Sequence, residues 1–109
     1  MTSLPKIKGV TFEFANGVTL VVPPLNLAAL EVLQDRLGTF KGGLDKDSVG
    51  LVIDATHMAL QRNYPQLTRK ELVEDMLDLS NMEAVMQLVM DVSGLRRKEA
   101  EQGEAQARN

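Results

Sequence analysis

The chain has no cysteine, no tryptophan, a single histidine and four aromatic residues, Phe12, Phe14, Phe40 and Tyr64. Without cysteine, disulfides and thiolate metal sites are excluded. A lone histidine leaves any metal centre to carboxylates. With so few aromatics, the core must be built from Leu, Val, Met, Ile and Ala. A basic excess is also missing: net charge at pH 7 is −3. That argues against a general nucleic-acid binder, which needs a basic surface to displace counterions from phosphates. The longest apolar run, Val18 to Pro24 with Thr19 inside it, falls far short of the ~20 residues of a membrane helix. The start, Met1-Thr2-Ser3-Leu4-Pro5-Lys6, lacks the apolar core of a signal peptide. The expectation is a cytoplasmic protein with no membrane or nucleic-acid partner.

What is present reads as one small globular domain. Apolar residues are 44% and charged residues 25% of the 109 positions, ordinary proportions that allow one modest core. The expected division is an N-terminal arm at 1–9, a domain at 10–94 and a polar, disordered tail at 95–109. The tail carries Arg96-Arg97-Lys98 and no large apolar residue after Leu95.

Along the domain the pattern predicts α+β: a β-hairpin packed on about four helices. Val10, Phe12 and Phe14 alternate with Thr11 and Glu13, and beyond Asn16-Gly17 Val18, Leu20 and Val22 alternate with Thr19 and Val21. A two-residue loop would mix the two faces. A three-residue loop, Ala15-Asn16-Gly17, pairs Val10 with Val22, Phe12 with Leu20 and Phe14 with Val18, with Gly17 left-handed. Pro23-Pro24 ends the second strand. Asn26 can cap a helix from Leu27 to about Gly38 with the stripe Leu27, Leu30, Leu33, Leu37. A second helix, Ser48 to about Tyr64, is polar only along Gly50, Asp54, His57 and Gln61, so it should be central or covered by a partner. Pro65 stops it. Thr68-Arg69-Lys70-Glu71 is a capping box opening a third helix with the stripe Leu72, Val73, Met76, Leu77, Leu79. Ser80-Asn81-Met82-Glu83 is a second capping box, opening a fourth helix that runs to Ser93 with Gly94 as C-cap.

Little in the sequence carries chemistry. Asp54 and His57, one turn apart, could orient a general base, but a nucleophile and an oxyanion site have no signature. A solvated surface histidine explains His57 more simply. Asp45-Lys46-Asp47 is similar to the start of a calcium loop, yet the oxygen ladder and closing glutamate are missing; helix capping by Asp47 or Ser48 accounts for these residues. Gly42-Gly43 has no Gly-Lys-Ser/Thr after it and is no phosphate loop. No catalytic residue, cofactor or metal is therefore expected. The acidic residues Glu71, Glu74, Asp75 and Asp78 of the third helix would repel phosphates, which disfavours a helix-turn-helix regulator.

Surplus apolar surface is the most informative feature. Met82, Met86 and Met90 recur every four residues. They either fill the core or form an adaptable groove for a protein ligand, a use suited to flexible thioethers. The two uses can share the stripe, with Met82 inside and Met86 and Met90 toward its edge. With Met58 and Leu51 of the second helix, these are the candidate partner-binding residues.

The segment Arg62-Asn63-Tyr64-Pro65-Gln66-Leu67-Thr68-Arg69-Lys70-Glu71-Leu72 resembles a stretch in small tail assembly chaperones of long-tailed bacteriophages and prophages. The strand pair before Pro23-Pro24 and the closing Ser93-Gly94 fit as well, so the resemblance covers roughly residues 10 to 95. Its motif positions here are Arg62, Asn63, Tyr64, Pro65, Thr68 and Glu71. The resemblance implies a non-catalytic protein that binds the tape measure protein, helps bring tail tube subunits to it, and is absent from the mature virion. Self-association is compatible with it. The alternative is a small structural tail or connector protein that stays in the particle.

Overall fold

Hydrogen bonding around Gly17 sets the register of the hairpin. In the computed structural model, which describes residues 7–95, β1 (Val10–Glu13) runs antiparallel to β2 (Thr19–Val22), with Val10 opposite Val22 and Phe12 opposite Leu20. Past the ladder, the Phe14 N–H donates to Val18 O and the Gly17 N–H to Phe14 O, both at 2.9 Å. Gly17 sits at φ 85°, a conformation that costs glycine little and other residues more. The three-residue loop inferred from the alternation is thus formed. Phe14 and Val22 are buried, Phe12 and Leu20 half-buried, and Val10 and Val18 exposed. The buried positions lie on a diagonal of the hairpin. The Phe12 and Phe14 rings meet edge-on, centroids 4.9 Å apart.

The Asn26 side chain accepts from the Ala29 N–H at 2.8 Å and starts α1 (Leu27–Gly38). The buried face is Ala29 and Leu33, flanked by half-buried Leu30 and Leu37. Leu27 does not belong to that stripe: it is 82% exposed. At 100° per residue it lies about 120° from Leu33, off the inward face.

Helix α2 (Lys46–Gln61) starts two residues before the expected Ser48. Its cap is neither Asp47 nor Ser48 but Asp45, whose Oδ2 accepts from the Ser48 N–H at 3.0 Å. Three residues is the reach of an N-cap side chain. No residue from Ser48 to Leu60 is exposed. α2 packs against α1, against β2 and against the C-terminal helical elements, which is the central position its composition demanded. It ends at Gln61 rather than Tyr64, because Arg62, Asn63 and Tyr64 turn tightly back onto the carbonyls of Ala59 and Leu60.

The third helix departs most from expectation. Thr68 caps α3 (Arg69–Glu71) through the full capping box. After one turn the chain widens into a π-helical segment, Leu72–Met76, closed by the Leu77 N–H donating to Leu72 O at 2.9 Å. Leu77 is already extended. The wider turn breaks the predicted stripe: Leu72 and Met76 are buried, while Val73 and Leu79 are 38% and 73% exposed.

Helix α4 (Met82–Val92) follows, with Ser93 and then Gly94 at φ 84° ending it. The second capping box does not form. The Ser80 hydroxyl bonds Asp78 Oδ1 at 2.6 Å instead, and that oxygen also accepts the N–H groups of Ser80 and Asn81 at 3.0 and 3.1 Å. An ionised carboxylate is the stronger acceptor, and it takes the hydroxyl that would have capped the helix. Residues 1–6 and 96–109, which include most of the expected arm and tail, lie outside the described residues. Among the described residues no helix is long and apolar enough to cross a membrane.

Candidate protein-binding groove

The motif segment after α2 is a clasp. Asn63 makes two bonds to Ile7, accepting its N–H and donating to its carbonyl, each at 2.8 Å. The Tyr64 hydroxyl accepts the Val21 N–H at 2.9 Å, satisfying a donor on the outer edge of β2. Arg62 Nη1 donates to Pro24 O at 2.7 Å, and the next N–H, of Leu25, goes to Ser93 Oγ at 2.9 Å. His57 Nε2 lies 2.9 Å from Leu67 O and so carries the proton there. Arg62, Asn63, Tyr64, Thr68 and Glu71 thereby tie the hairpin and its proline turn to α2 and set the start of α3. Pro65 stays exposed between them.

The Asp54–His57 pairing is absent. Asp54 binds Arg36 Nη1 at 3.0 Å and Arg69 Nε at 2.9 Å, joining α1, α2 and α3. Partial burial pushes its carboxyl up, but the hydrogen bonds and charges of Arg69 and Arg36 outweigh this and hold it below the usual carboxylate range. A surface hollow between the end of α1 and the start of α2 mixes Arg36 and Lys41 with Asp45 and Asp47. Asp45 is engaged there as the helix cap. Among the described residues no three histidine or carboxylate side chains converge as metal ligands.

Apolar surface converges elsewhere. Two exposed leucines, Leu44 before the α2 cap and Leu79 in the turn before α4, line one hollow of about 340 Å³. Val52 and Met86 belong to its lining from the core, and Phe40, Met82 and Met90 are half-buried in its walls. A second hollow of about 260 Å³ shares Val52, Leu79 and Met82 with the first and continues over Val49, Ile53, Val73 and Leu77. The two adjoin at Val52, Leu79 and Met82 and form one groove over the contact between α2 and α4, with Leu37, Phe40, Lys41 and Gly42 along its far side. Leu79 is held out rather than loose: Asp78, Ser80 and Asn81 bond one another around it, and Asn81 also donates to Met76 O at 2.9 Å. The Ser80 hydroxyl bond, with the Asn81 and Ser80 N–H groups, holds the Asp78 carboxyl low against the opposing effect of burial, so the rim there is anionic. Glu83 is a second carboxylate of the groove, in the first hollow, whose lining also includes Lys41.

The predicted contact residues separate on this surface. Met82 and Met90 line the groove. Met86 lies between them but is 2% exposed, so the expected order, Met82 inside and Met86 outside, is reversed. Met82 occupies the first position of α4, where α2 covers it less; Met86 sits one turn in. Leu51, at 1% exposure, is core. Met58 lies on a different face, beside Val32 and Ala28 of α1. Leu44 and Leu79 were missed. Each is an apolar residue wedged between turn formers, Gly42-Gly43 and Asp45 for one, Asp78 and Ser80-Asn81 for the other, and that placement was the available signal. Comparison with protein-family models, curated proteins and solved structures found no match.

Proposed function

We propose that this chain is a non-catalytic tail assembly chaperone of a long-tailed bacteriophage or prophage. In this reading it acts in the host cytoplasm, binds the tape measure protein, helps bring tail tube subunits to it, and leaves before the virion is complete. The observation that carries the proposal is the uncovered apolar groove, with Leu44 and Leu79 presented on its rims and methionines along α4. The likeness of residues 62–72 to the chaperone segment supplies the biological setting. A short groove suits release, since a small interface gives a transient contact. Methionine walls suit a client whose sequence varies along its length. Self-association belongs to the same reading, with Leu27 and Val32 of α1 as exposed apolar surface.

The test is genetic and compositional. Removing the gene from its phage or prophage should abolish tails, restoring it in trans should recover them, and mass spectrometry of purified particles should find none of this chain. Retention in particles at fixed stoichiometry would instead identify a structural virion component.

A further inference from the structure

We infer that the groove between α2 and α4 receives an amphipathic α-helix of a partner protein, with basic residues along the flank that meets Asp78 and Glu83. The inference rests on the reading above that the groove is the binding site, and it specifies the chemistry of the occupant. The case for a helix comes from the lining of the groove. Its floor is made by α2, α4 and the π-helical segment, whose backbone groups are engaged within the helices themselves, and its rims by the loop carrying Phe40 to Leu44 and the turn carrying Leu77 to Leu79. Apart from Lys41, Gln87 and the carboxylates Asp78 and Glu83, the lining side chains are apolar. An extended peptide laid along the helical floor would bury N–H and C=O groups with no backbone partner there, at a cost of a few kcal/mol for each group. A helix brings its backbone already satisfied and offers one apolar stripe, the established helix-in-groove mode.

The chain's own C-terminal segment does not suit the groove. Residues 96–109 contain alanine as their only apolar type, too little surface to replace the water over Leu44, Leu79 and Met82. The charge of the occupant follows from the rim. Asp78 is fixed as an acceptor by the hydrogen bonds of its own turn, and Glu83 stands exposed in the first turn of α4, in the same lining as Leu79 and Met82. The neighbouring Glu74 and Asp75 are exposed as well. Against these carboxylates the lining carries a single cation among the described residues, Lys41, so a lysine- or arginine-bearing flank laid along Asp78 and Glu83 is met favourably and an acidic flank there is repelled.

The probe is a fluorescently labelled synthetic peptide of about 18 residues, long enough to populate helix, with leucines at i, i+3, i+4 and i+7 spacing and lysines along one flank. The first comparison peptide has glutamates in place of the lysines, and the second has the same composition with the leucine spacing permuted. Anisotropy titrations are expected to show the lysine peptide binding at least about tenfold more tightly than either comparison. Leu79→Asp should weaken it by a similar factor, and Glu83→Lys should narrow the preference for the lysine flank. Both positions are exposed, and urea melts confirm that the variants stay folded. Amide chemical-shift changes should concentrate in residues 77–90 and around Leu44. Equal binding of the lysine and glutamate peptides, shifts confined to another face, or loss of self-association in Leu79→Asp without peptide binding would overturn the inference, the last by assigning the groove to a second copy. If the peptides fail while Leu79-dependent capture of a tail protein persists, the inference falls and the chaperone reading stands. If the peptide binds and no tail protein is captured, the chaperone reading falls and the inference stands.

Discussion

Thr56 offers a sensitive check on the packing of α2. Its side chain is fully buried and, among the described residues, Oγ1 has no hydrogen-bond partner. A buried hydroxyl without a partner forfeits the bonds it made to water, a penalty of about 1–3 kcal/mol. Thr56→Val replaces the hydroxyl by a methyl group of similar shape and removes that penalty. Thr and Val have similar helix propensities, so the backbone contribution nearly cancels. The expected gain is about 1–2 kcal/mol, each kcal/mol raising Tm by about 4–8 °C in a domain of this size. Thr56→Ser is the matched control: it keeps the hydroxyl, loses a buried methyl, and should cost about 0.8 kcal/mol or more. With no tryptophan in the chain, far-UV circular dichroism in urea titrations is the appropriate readout. A Val variant no more stable than wild type would refute the reasoning, because it would mean that Oγ1 is satisfied in solution.

Other perturbations probe other links. Leu60, with none of its side chain exposed, should cost about 2–5 kcal/mol when changed to Ala; a loss below about 0.5 kcal/mol, the range of surface substitutions, would remove α2 from the centre of the fold. At Gly9 a Cβ would run into the Val22 carbonyl oxygen and come within 2.8 Å of Pro23 Cα, so Gly9→Ala should destabilise by about 1–3 kcal/mol through forced backbone shifts, with faster amide exchange at Leu20 and Val22. Asp54 has a lowered native pKa against an unperturbed 3.8. Its ion pairs therefore contribute fully at neutral pH, weaken as pH falls toward that value, and vanish below the lowered native one. Asp54→Asn should cost about 0.5–1 kcal/mol at pH 7 and flatten the acid limb of stability against pH; an unchanged limb would show that the pairs contribute nothing.

Local chemistry was legible in the sequence where one residue decides the geometry. The hairpin register followed from period-two alternation and Gly17, the start of α1 from Asn26, the start of α3 from Thr68 and Glu71, and the end of α4 from Gly94. Competition between local options was not legible. Asp78 and Ser80 both can cap, and only the folded turn shows the carboxylate drawing in the hydroxyl. Leu72, Val73, Met76 and Leu77 fit an α-helical stripe on paper, but the chain widens into a π-turn there and leaves it extended at Leu77, which no residue pattern signals. The candidate site was partly legible for the same reason. Spacing placed Met82, Met86 and Met90 on one side of α4, yet their relative depth depends on where α2 lies across them. Leu44 and Leu79 became visible only when two turns distant in sequence met over one hollow.

The central claim is that the chain works by holding a tail protein in this groove, and capture from cells tests it most directly. Wild type, Leu44→Asp and Leu79→Asp, each shown to be folded by circular dichroism, would be co-expressed with the products of the neighbouring genes and recovered for mass spectrometry. The account predicts that wild type brings down a long helical tape-measure-like protein and that both substitutions lose it. Capture of no tail protein by wild type, or undiminished capture by both variants, would contradict it.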